Sequence, residues 1–349
     1  MKIAITTTQA PFISGGAEFH ARNLKQALLE AGHQVDIVTM PFMDRPIHLL
    51  ENHIVASRLF DLSSSWAGKV DLCIGLKFPA YFIPHPNKVI WALHQHREAY
   101  DLFNTEHSNI KADDEEAMRV RDMVYHADMK YLKEAKRIYA NSQNVANRMM
   151  KYNGIAATPL YHPCPDMEQF TCGASENYIL MPSRINLVKR QWLALEAMMH
   201  TKGNFKLYLV GAHDNPRIKK EFLDDIEKKG LSDRVICFDF IPQEQKLELY
   251  ANARAVLFIP KDEDYGYITL EGMSSSKPII TASDSGGPLE FVEDGVTGSV
   301  VEPTPEAIAE ALEYYAGNEE RAVSMGQCGK EKLTNMNISW NQVVEELTR

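Results

Sequence analysis

Residues 2–40 run KIAITTT at 2–8, then a loop carrying Gly15-Gly16, then a segment of helical apolar spacing at 17–31 closed by Gly32, and finally QVDIVTM at 34–40. The β-branched run at 2–8 predicts a short buried strand and 34–40 the next strand, and a glycine just past an apolar-periodic segment is a natural helix stop. Two parallel strands need a crossover between them, so a strand–loop–helix–strand unit opens a parallel α/β sheet. Working outward, further strands are predicted at 70–74, 88–93 and 137–140, with a long polar helix at 113–135 before the last. Residues 161–172 carry Pro163 and Pro165 and little apolar period, and predict a linker. Beyond it the alternation restarts. Strands are predicted at 178–181, 206–211, 234–238, 255–259 and 278–281, with helices at 190–200, 216–229, 243–252 and 268–275 between them. The chain ends in helices, the last at 339–349. The fold class expected is α/β, with domains at 1–165 and 172–335, a terminal helix at 336–349, and a ligand cleft between the two domains.

The composition is that of an ordinary globular protein. The chain has 349 residues, 45% hydrophobic and 24% charged, with a formal charge of -10. An acidic balance argues against general nucleic-acid affinity, which needs a basic surface. Five widely spaced cysteines without a C-x-x-C pair fit reduced thiols and a cytoplasmic setting better than a disulfide framework or a zinc site. The apolar run at 3–5 is too short for a signal peptide, and no stretch approaches the ~20 apolar residues of a membrane span.

Several segments can carry chemistry. Gly15-Gly16 lies between a strand and a helix, where backbone can approach a phosphate; the same residues also suit a plain tight turn. Neither a G-x-G-x-x-G fingerprint nor a P-loop is present. Arg184 and Lys189 follow the first strand of the second half, at the sheet edge where open α/β sheets bind ligands. Two cations there suit a diphosphate, although solvated surface cations read the same way; Arg190, one residue on, is the candidate for the solvated one. In Glu263-Asp264-Tyr265-Gly266-Tyr267-Ile268-Thr269-Leu270-Glu271, Gly266 marks a loop turning into a helix. Amides from Gly266 to Thr269 would then point out of the helix start as an anion site. Glu263 and Glu271 would accept hydroxyl hydrogen bonds on either side of it, one from a sugar and one from a ribose. A surface loop with an amphipathic helix fits the same residues. Asp262-Glu263-Asp264 spells a D-x-D triplet, a pattern that also arises by chance. Residues 283–290 and 294–298 read as glycine-rich structural turns. His94 and His96 follow the strand at 88–93 and share a side on an extended chain. That admits a two-histidine metal pair, a single hydrogen-bonding histidine or a structural one.

Taken in order, these pieces resemble the retaining GT-B glycosyltransferases of family 4, the glycogen-synthase-like group. The motifs that carry the resemblance are Gly15-Gly16-Ala17-Glu18, His94, Tyr139-Ala140-Asn141-Ser142, Arg184 with Lys189, Glu263 with Glu271, Gly286-Gly287-Pro288-Leu289-Glu290, and Gly295 with Gly298. The resemblance implies two Rossmann-like domains facing across a cleft and a nucleotide-sugar donor held mainly by the second. It places Arg184 and Lys189 on the donor diphosphate, Glu263 on the transferred sugar and Glu271 on the ribose. His94 would face the reacting sugar, and Gly15-Gly16 would approach the phosphate. Tyr265, Gly266, Tyr267 and Ile268 complete the expected donor site. No cofactor and no metal are implied, and the last helix is expected to cross back to the first domain. The chain departs from the family pattern at Arg190, where glycine is frequent, and at Tyr267, Gly272 and Ser276.

The function expected is transfer of a hexose-type sugar, with retention, to a glycan or lipid-linked acceptor in surface polysaccharide biosynthesis. Arg184, Lys189 and the helix-start amides would bear the leaving group's charge. No side chain is placed as a covalent nucleophile, so attack by the acceptor on the leaving-group face is favoured. The cations Arg119, Arg121, Lys130, Lys133, Lys136, Arg137 and Arg148 would offer peripheral contact with an anionic inner membrane face, or simply line a solvated helix. An inverting GT-B transferase, a nucleotide-sugar epimerase and a non-catalytic nucleotide-sugar-binding protein are the competing readings.

Overall fold

The computed structural model describes residues 1–12, 15–106 and 108–349. The chain divides into two compact units, Met1–Pro165 with Ser339–Arg349, and Asp166–Ile338.

The first unit is a six-stranded parallel sheet with flanking helices. Its elements are β1 (Lys2–Gln9), α1 (Gly16–Glu30), β2 (Gln34–Pro41), α2 (Leu49–Leu59), a small hairpin of β3 (Ser64–Ser65) and β4 (Gly68–Lys69), β5 (Leu72–Gly75), β6 (Lys88–Ala92), α3 (Glu115–Tyr131), β7 (Arg137–Ala140), α4 (Gln143–Asn153) and β8 (Thr158–Pro159). The strand order is β2-β1-β5-β6-β7-β8. The opening unit folds as its pattern predicts, with Ile3 beside Val35 and Ile5 beside Ile37.

The second unit holds β9 (Tyr178–Pro182), α5 (Gln191–His200), β10 (Lys206–Val210), α6 (Pro216–Lys228), β11 (Val235–Phe238), α7 (Gln243–Asn252), β12 (Ala255–Leu257), α8 (Tyr267–Ser274), β13 (Ile279–Ala282), β14 (Gly298–Val301), α9 (Pro305–Gly317) and α10 (Glu319–Asn335). Its order, β11-β10-β9-β12-β13-β14, is that of the doubly wound dinucleotide-type sheet. The chain winds one way from β9 to β11 and then the other way from β12. The switch point therefore lies at the carboxyl ends of β9 and β12, and the loops after those two strands carry the residues singled out above.

The last helix, α11 (Trp340–Thr348), belongs to the first unit. Val343, Val344 and Leu347 are buried in one cluster with Ile3, Ile5, Leu24 and Trp91. Tyr139 Oη donates to the Glu346 carboxylate at 2.8 Å, and Arg137 Nη2 donates to the Leu347 carbonyl at 3.2 Å.

Beside α11 a pair of imidazoles is fully buried. His162 Nδ1 lies 3.1 Å from the Pro163 carbonyl, which can only accept, so Nδ1 carries the proton. His162 Nε2 is then an acceptor, and it takes its hydrogen bond from His20 Nδ1 at 3.1 Å. The ring of Trp340 packs on His162 at a centroid distance of 5.5 Å. Burial pushes the His162 imidazole down to about 3, and burial and His162 push His20 well below its ordinary value. The unfolded chain protonates His162 near its usual value of about 6.5, so it binds more protons than the folded chain below that pH. Stability is therefore complete above about pH 6.5 and is lost as the pH falls toward 3. At pH 5 the expected loss from His162 alone is about 2 kcal/mol. Thermal melts at pH 7 and pH 5 check this: the midpoint should drop in the wild-type protein and drop less in His162→Gln. An equal drop in both would remove His162 from the account.

Candidate functional site

The loop after β9 is built around Gln191, which is buried. Its Nε2 donates to Ser183 Oγ at 2.6 Å and to the Arg184 carbonyl at 3.1 Å, and its Oε1 accepts from the Asn186 amide at 3.2 Å. Asn186 Oδ1 in turn accepts from the Lys189 amide at 3.0 Å, capping a single 3-10 turn at Leu187–Lys189. The loop is thus rigid where Lys189 leaves it. Lys189 Nζ makes an ion pair with the Glu263 carboxylate and lies 5.3 Å from the centre of the Phe258 ring.

Glu263 is held by its backbone. Its amide donates to the Ser285 carbonyl at 2.8 Å, and its own carbonyl accepts from the Gly287 amide at 2.8 Å. Asp262 N–H bonds the Asp284 carbonyl at 2.9 Å, and Lys261 N–H bonds the Val188 carbonyl at 2.9 Å. The loops after β9, β12 and β13 are therefore laced together. Gly287 has to be glycine, since a Cβ there would sit 2.6 Å from the Tyr265 carbonyl oxygen. Gly266 caps α8 at φ 92°, a left-handed position that favours glycine.

The two arginines differ in how firmly they are held. Arg190, read as the solvated neighbour, is the anchored one. Both its terminal nitrogens bond Asp284, each at 2.6 Å, and only 16% of its side chain is exposed. The paired guanidinium holds the Asp284 carboxyl below the usual carboxylate range. Arg184 is the outward one, 63% exposed and 3.6 Å from Asp214. Arg190 also has φ 61°, a left-handed position that favours glycine. Arg190→Gly relieves the left-handed strain while losing the ion pair, whereas Arg190→Ala loses the pair and keeps the strain. Urea melts should find the glycine variant more stable than the alanine variant by about 1 kcal/mol. Equal stabilities would show that the strain costs nothing.

The carboxyl-terminal half of the Glu263–Glu271 segment faces inward. Glu271 is buried, accepting from Lys246 Nζ at 2.6 Å and Tyr250 Oη at 2.5 Å. Tyr265 is buried with its ring edge-on to Phe291 and Tyr267. The run of outward amides expected from Gly266 to Thr269 is shorter by one, because the Thr269 N–H bonds the Gly266 carbonyl at 3.0 Å. Ile268 is half-buried on the first turn of α8.

In the first unit, Gly15 and Gly16 stand at the start of α1, as predicted. The Gly15 amide already donates to the Glu18 carboxylate at 2.7 Å, so Glu18 meets the positive end of the helix. A glutamate three residues past the cap position is a capping signal in the sequence itself. His94 is half-buried, with Nδ1 2.7 Å from the Gln95 carbonyl. Strand β6 ends at Ala92, so His94 and His96 lie in the loop that follows it. The His96 ring is buried 5.3 Å from the centre of Phe78, which pushes it down to about 4. Among the described residues no three His, Cys, Asp or Glu side chains are grouped to hold a metal, the Asp262-Glu263-Asp264 triplet included.

The basic stretch is less exposed than its sequence implies. Arg119 pairs with Glu51, Arg121 Nε bonds the Ala99 carbonyl at 2.9 Å, Arg137 holds α11, and Arg148 is buried. Arg119, Lys130, Lys133 and Lys136 remain exposed. Among the described residues no helix is long and apolar enough to cross a membrane.

Residues 14–162 match the model of Glycosyltransferase Family 4, and residues 166–332 match that of Glycosyl transferases group 1. The chain belongs to the family 4 GT-B glycosyltransferases. Among its relatives is an alpha-1,3/1,6-mannosyltransferase of Dictyostelium discoideum, 35% identical over 38% of this chain and 33% of that protein. The human alpha-1,3/1,6-mannosyltransferase is 29% identical over 44% of this chain and 40% of its own. The chain thus spans about a third to two fifths of the mannosyltransferases it matches. An uncharacterized glycosyltransferase of Methanocaldococcus jannaschii is 24% identical over 88% of this chain and 87% of that one. Similar solved folds include sucrose-phosphate synthase of Thermosynechococcus elongatus, with a TM-score of 0.81 at 17% identity over 99% of this chain and 97% of that one. Another is Anabaena HepE, solved in complex with UDP-glucose, with a TM-score of 0.73 at 17% identity over 99% of this chain and 98% of that one. As a family 4 member the chain shares their two Rossmann-like domains, and in it Lys189 and Glu263 meet at the switch point of the second sheet.

Proposed function

We propose that this protein transfers a hexose-type sugar, with retention, from a nucleoside-diphosphate sugar to a glycan or lipid-linked acceptor in surface glycan assembly. The observation that carries the reading is the Lys189–Glu263 pair, held by three laced loops at the carboxyl ends of β9 and β12. A cation beside a carboxylate there suits a ligand that is anionic at one end and hydroxylated at the other. The names of the relatives support the sugar class, since mannose and glucose are both hexoses.

Lys189 and Arg184 would take the diphosphate as it gains charge on leaving, and Glu263 would accept hydrogen bonds from the sugar's hydroxyls. In the unliganded chain Lys189 and Glu263 neutralise each other, so the donor exchanges an internal pair for two external ones. Glu271 would reach a ribose by sharing its carboxylate between the ribose hydroxyls and its present donors, Lys246 and Tyr250. The Gln95 carbonyl can only accept, so His94 Nδ1 carries a proton, and Nε2 accepts whenever the ring is neutral. That suits His94 to a hydroxyl of the reacting sugar.

A thermal-shift screen against UDP-, GDP-, ADP- and TDP-linked hexoses tests the donor. One of them should raise the melting midpoint and then be turned over to free nucleoside diphosphate with an acceptor. Binding without release across an acceptor panel would make this a binding protein. Interconversion of free nucleotide sugars would make it an epimerase. Anomeric NMR of the product decides retention against inversion.

A further inference from the structure

A closed set of polar side chains is buried beneath the His94 loop. Asp128, on α3, is fully buried. Its carboxylate accepts from Tyr81 Oη at 3.0 Å, Tyr100 Oη at 2.6 Å and Gln95 Nε2 at 2.9 Å. Gln95 Nε2 spends its other hydrogen on Asn153 Oδ1 at 2.8 Å, and Asn153 Nδ2 donates to Tyr100 Oη at 3.2 Å.

A buried carboxylate is costly, and apolar residues of the same volume usually serve the fold as well or better. Nor does α3 need Asp128 to dock, because Val120, Val124 and Ala127 already bury its apolar face in the first unit's core. What the carboxylate does is local. It takes one amide hydrogen of Gln95 while Asn153 Oδ1 takes the other, and together they fix the conformation of that residue. The Gln95 carbonyl is the group that holds His94 Nδ1, 2.7 Å away.

We infer that Asp128 and Gln95 are positioning residues for His94: the buried Asp128–Gln95 contact orients the carbonyl that sets the tautomer and direction of the imidazole. The inference rests on the proposed role of His94 at the reacting sugar.

The test uses the full chain with the donor found by the thermal-shift screen. Gln95→Glu sets two carboxylates against each other and should lower kcat by about 10- to 100-fold, the scale of a small misplacement of a reacting group, with KM for the donor nearly unchanged. Adding Asp128→Asn restores one donor opposite one carboxylate and should return kcat to within about 3-fold of wild type. In a His94→Ala background Gln95→Glu should cost nothing further, because its effect passes through the missing ring. If Gln95→Glu does not fold, Tyr100→Phe replaces it, with a kcat loss of about 3-fold or more that likewise vanishes in the His94→Ala background. Nitrogen NMR of the His94 ring reads the positioning without turnover, and Gln95→Glu should lower its Nδ1-protonated fraction. Losses that persist in His94→Ala, no rescue by the double variant, or an unchanged tautomer would each overturn the inference. Full turnover in His94→Ala would instead overturn the role of His94 itself, leaving the tautomer measurement to decide the positioning.

Discussion

Lys189→Ala is expected to lower turnover by about 100-fold or more, the scale set by removing one donor from a charge-stabilising site. The effect should fall on kcat more than on donor binding, since the leaving diphosphate gains charge as the bond breaks. The substitution also leaves Glu263 without its cation, and 23% of that side chain is exposed, so part of the lost pairing is replaced by water. A modest drop in melting temperature is expected from this. Adding Glu263→Gln should recover that stability and leave turnover low. Nucleoside diphosphate release under saturating donor is the measurement. Near-normal release by a folded Lys189→Ala protein would remove Lys189 from the chemistry and leave the pair a structural one.

The largest effect on stability is expected at α11. Val343 and Leu347 are fully buried and Val344 nearly so, in the core of the first unit. Burying each such side chain contributes roughly 1.5–3 kcal/mol, and the net stability of a domain is only about 5–15 kcal/mol. Leu347→Asp loses one such contribution and also buries an unpaired carboxylate. The first unit should then lose cooperative unfolding at ordinary temperature while Asp166–Ile338 keeps its own. Limited proteolysis reads the difference: cuts should accumulate within residues 1–165 and spare residues 166–338. Equal protection of both units would show that α11 is dispensable.

Much of the fold was legible because parallel sheets bury whole strands. Residues 3–8 are apolar or β-branched throughout and buried, and glycines such as Gly32 mark where the helices stop. Helix α2 was not found. Its inward positions Leu50 and Ile54 are diluted by the outward apolar residues Val55 and Leu59, which blur the helical period. Strand β14 is four residues long and follows a turn read as structural only.

At the site, the sheet-edge argument placed Arg184, Lys189 and Glu263 on the loops after β9 and β12, where they lie, because strand alternation fixes which ends carry those loops. The partners within those loops were not legible. Lys189 and Glu263 are 74 positions apart, and Arg190 and Asp284 are 94 apart. Which cation meets which carboxylate depends on loop lacing that no local pattern encodes. Charged residues are usually solvated, so nothing local marks Arg190 as anchored, and its left-handed backbone is a tertiary outcome. Gln191, whose amide organises the whole β9 loop, has no signal in sequence beyond being a polar residue at a helix start.

The docking of α11 sets an order on synthesis. A chain leaves the ribosome amino end first, and domains ordinarily fold in that order as they emerge. Here the core that begins at Ile3 is completed by Val343, Val344 and Leu347, so its last pieces arrive after the whole of the second unit. The second unit, Asp166–Ile338, is contiguous and can close first. The amino-terminal half is then translated earlier and finished later, and until α11 emerges the apolar surface it will cover stays open to chaperones and to other nascent chains.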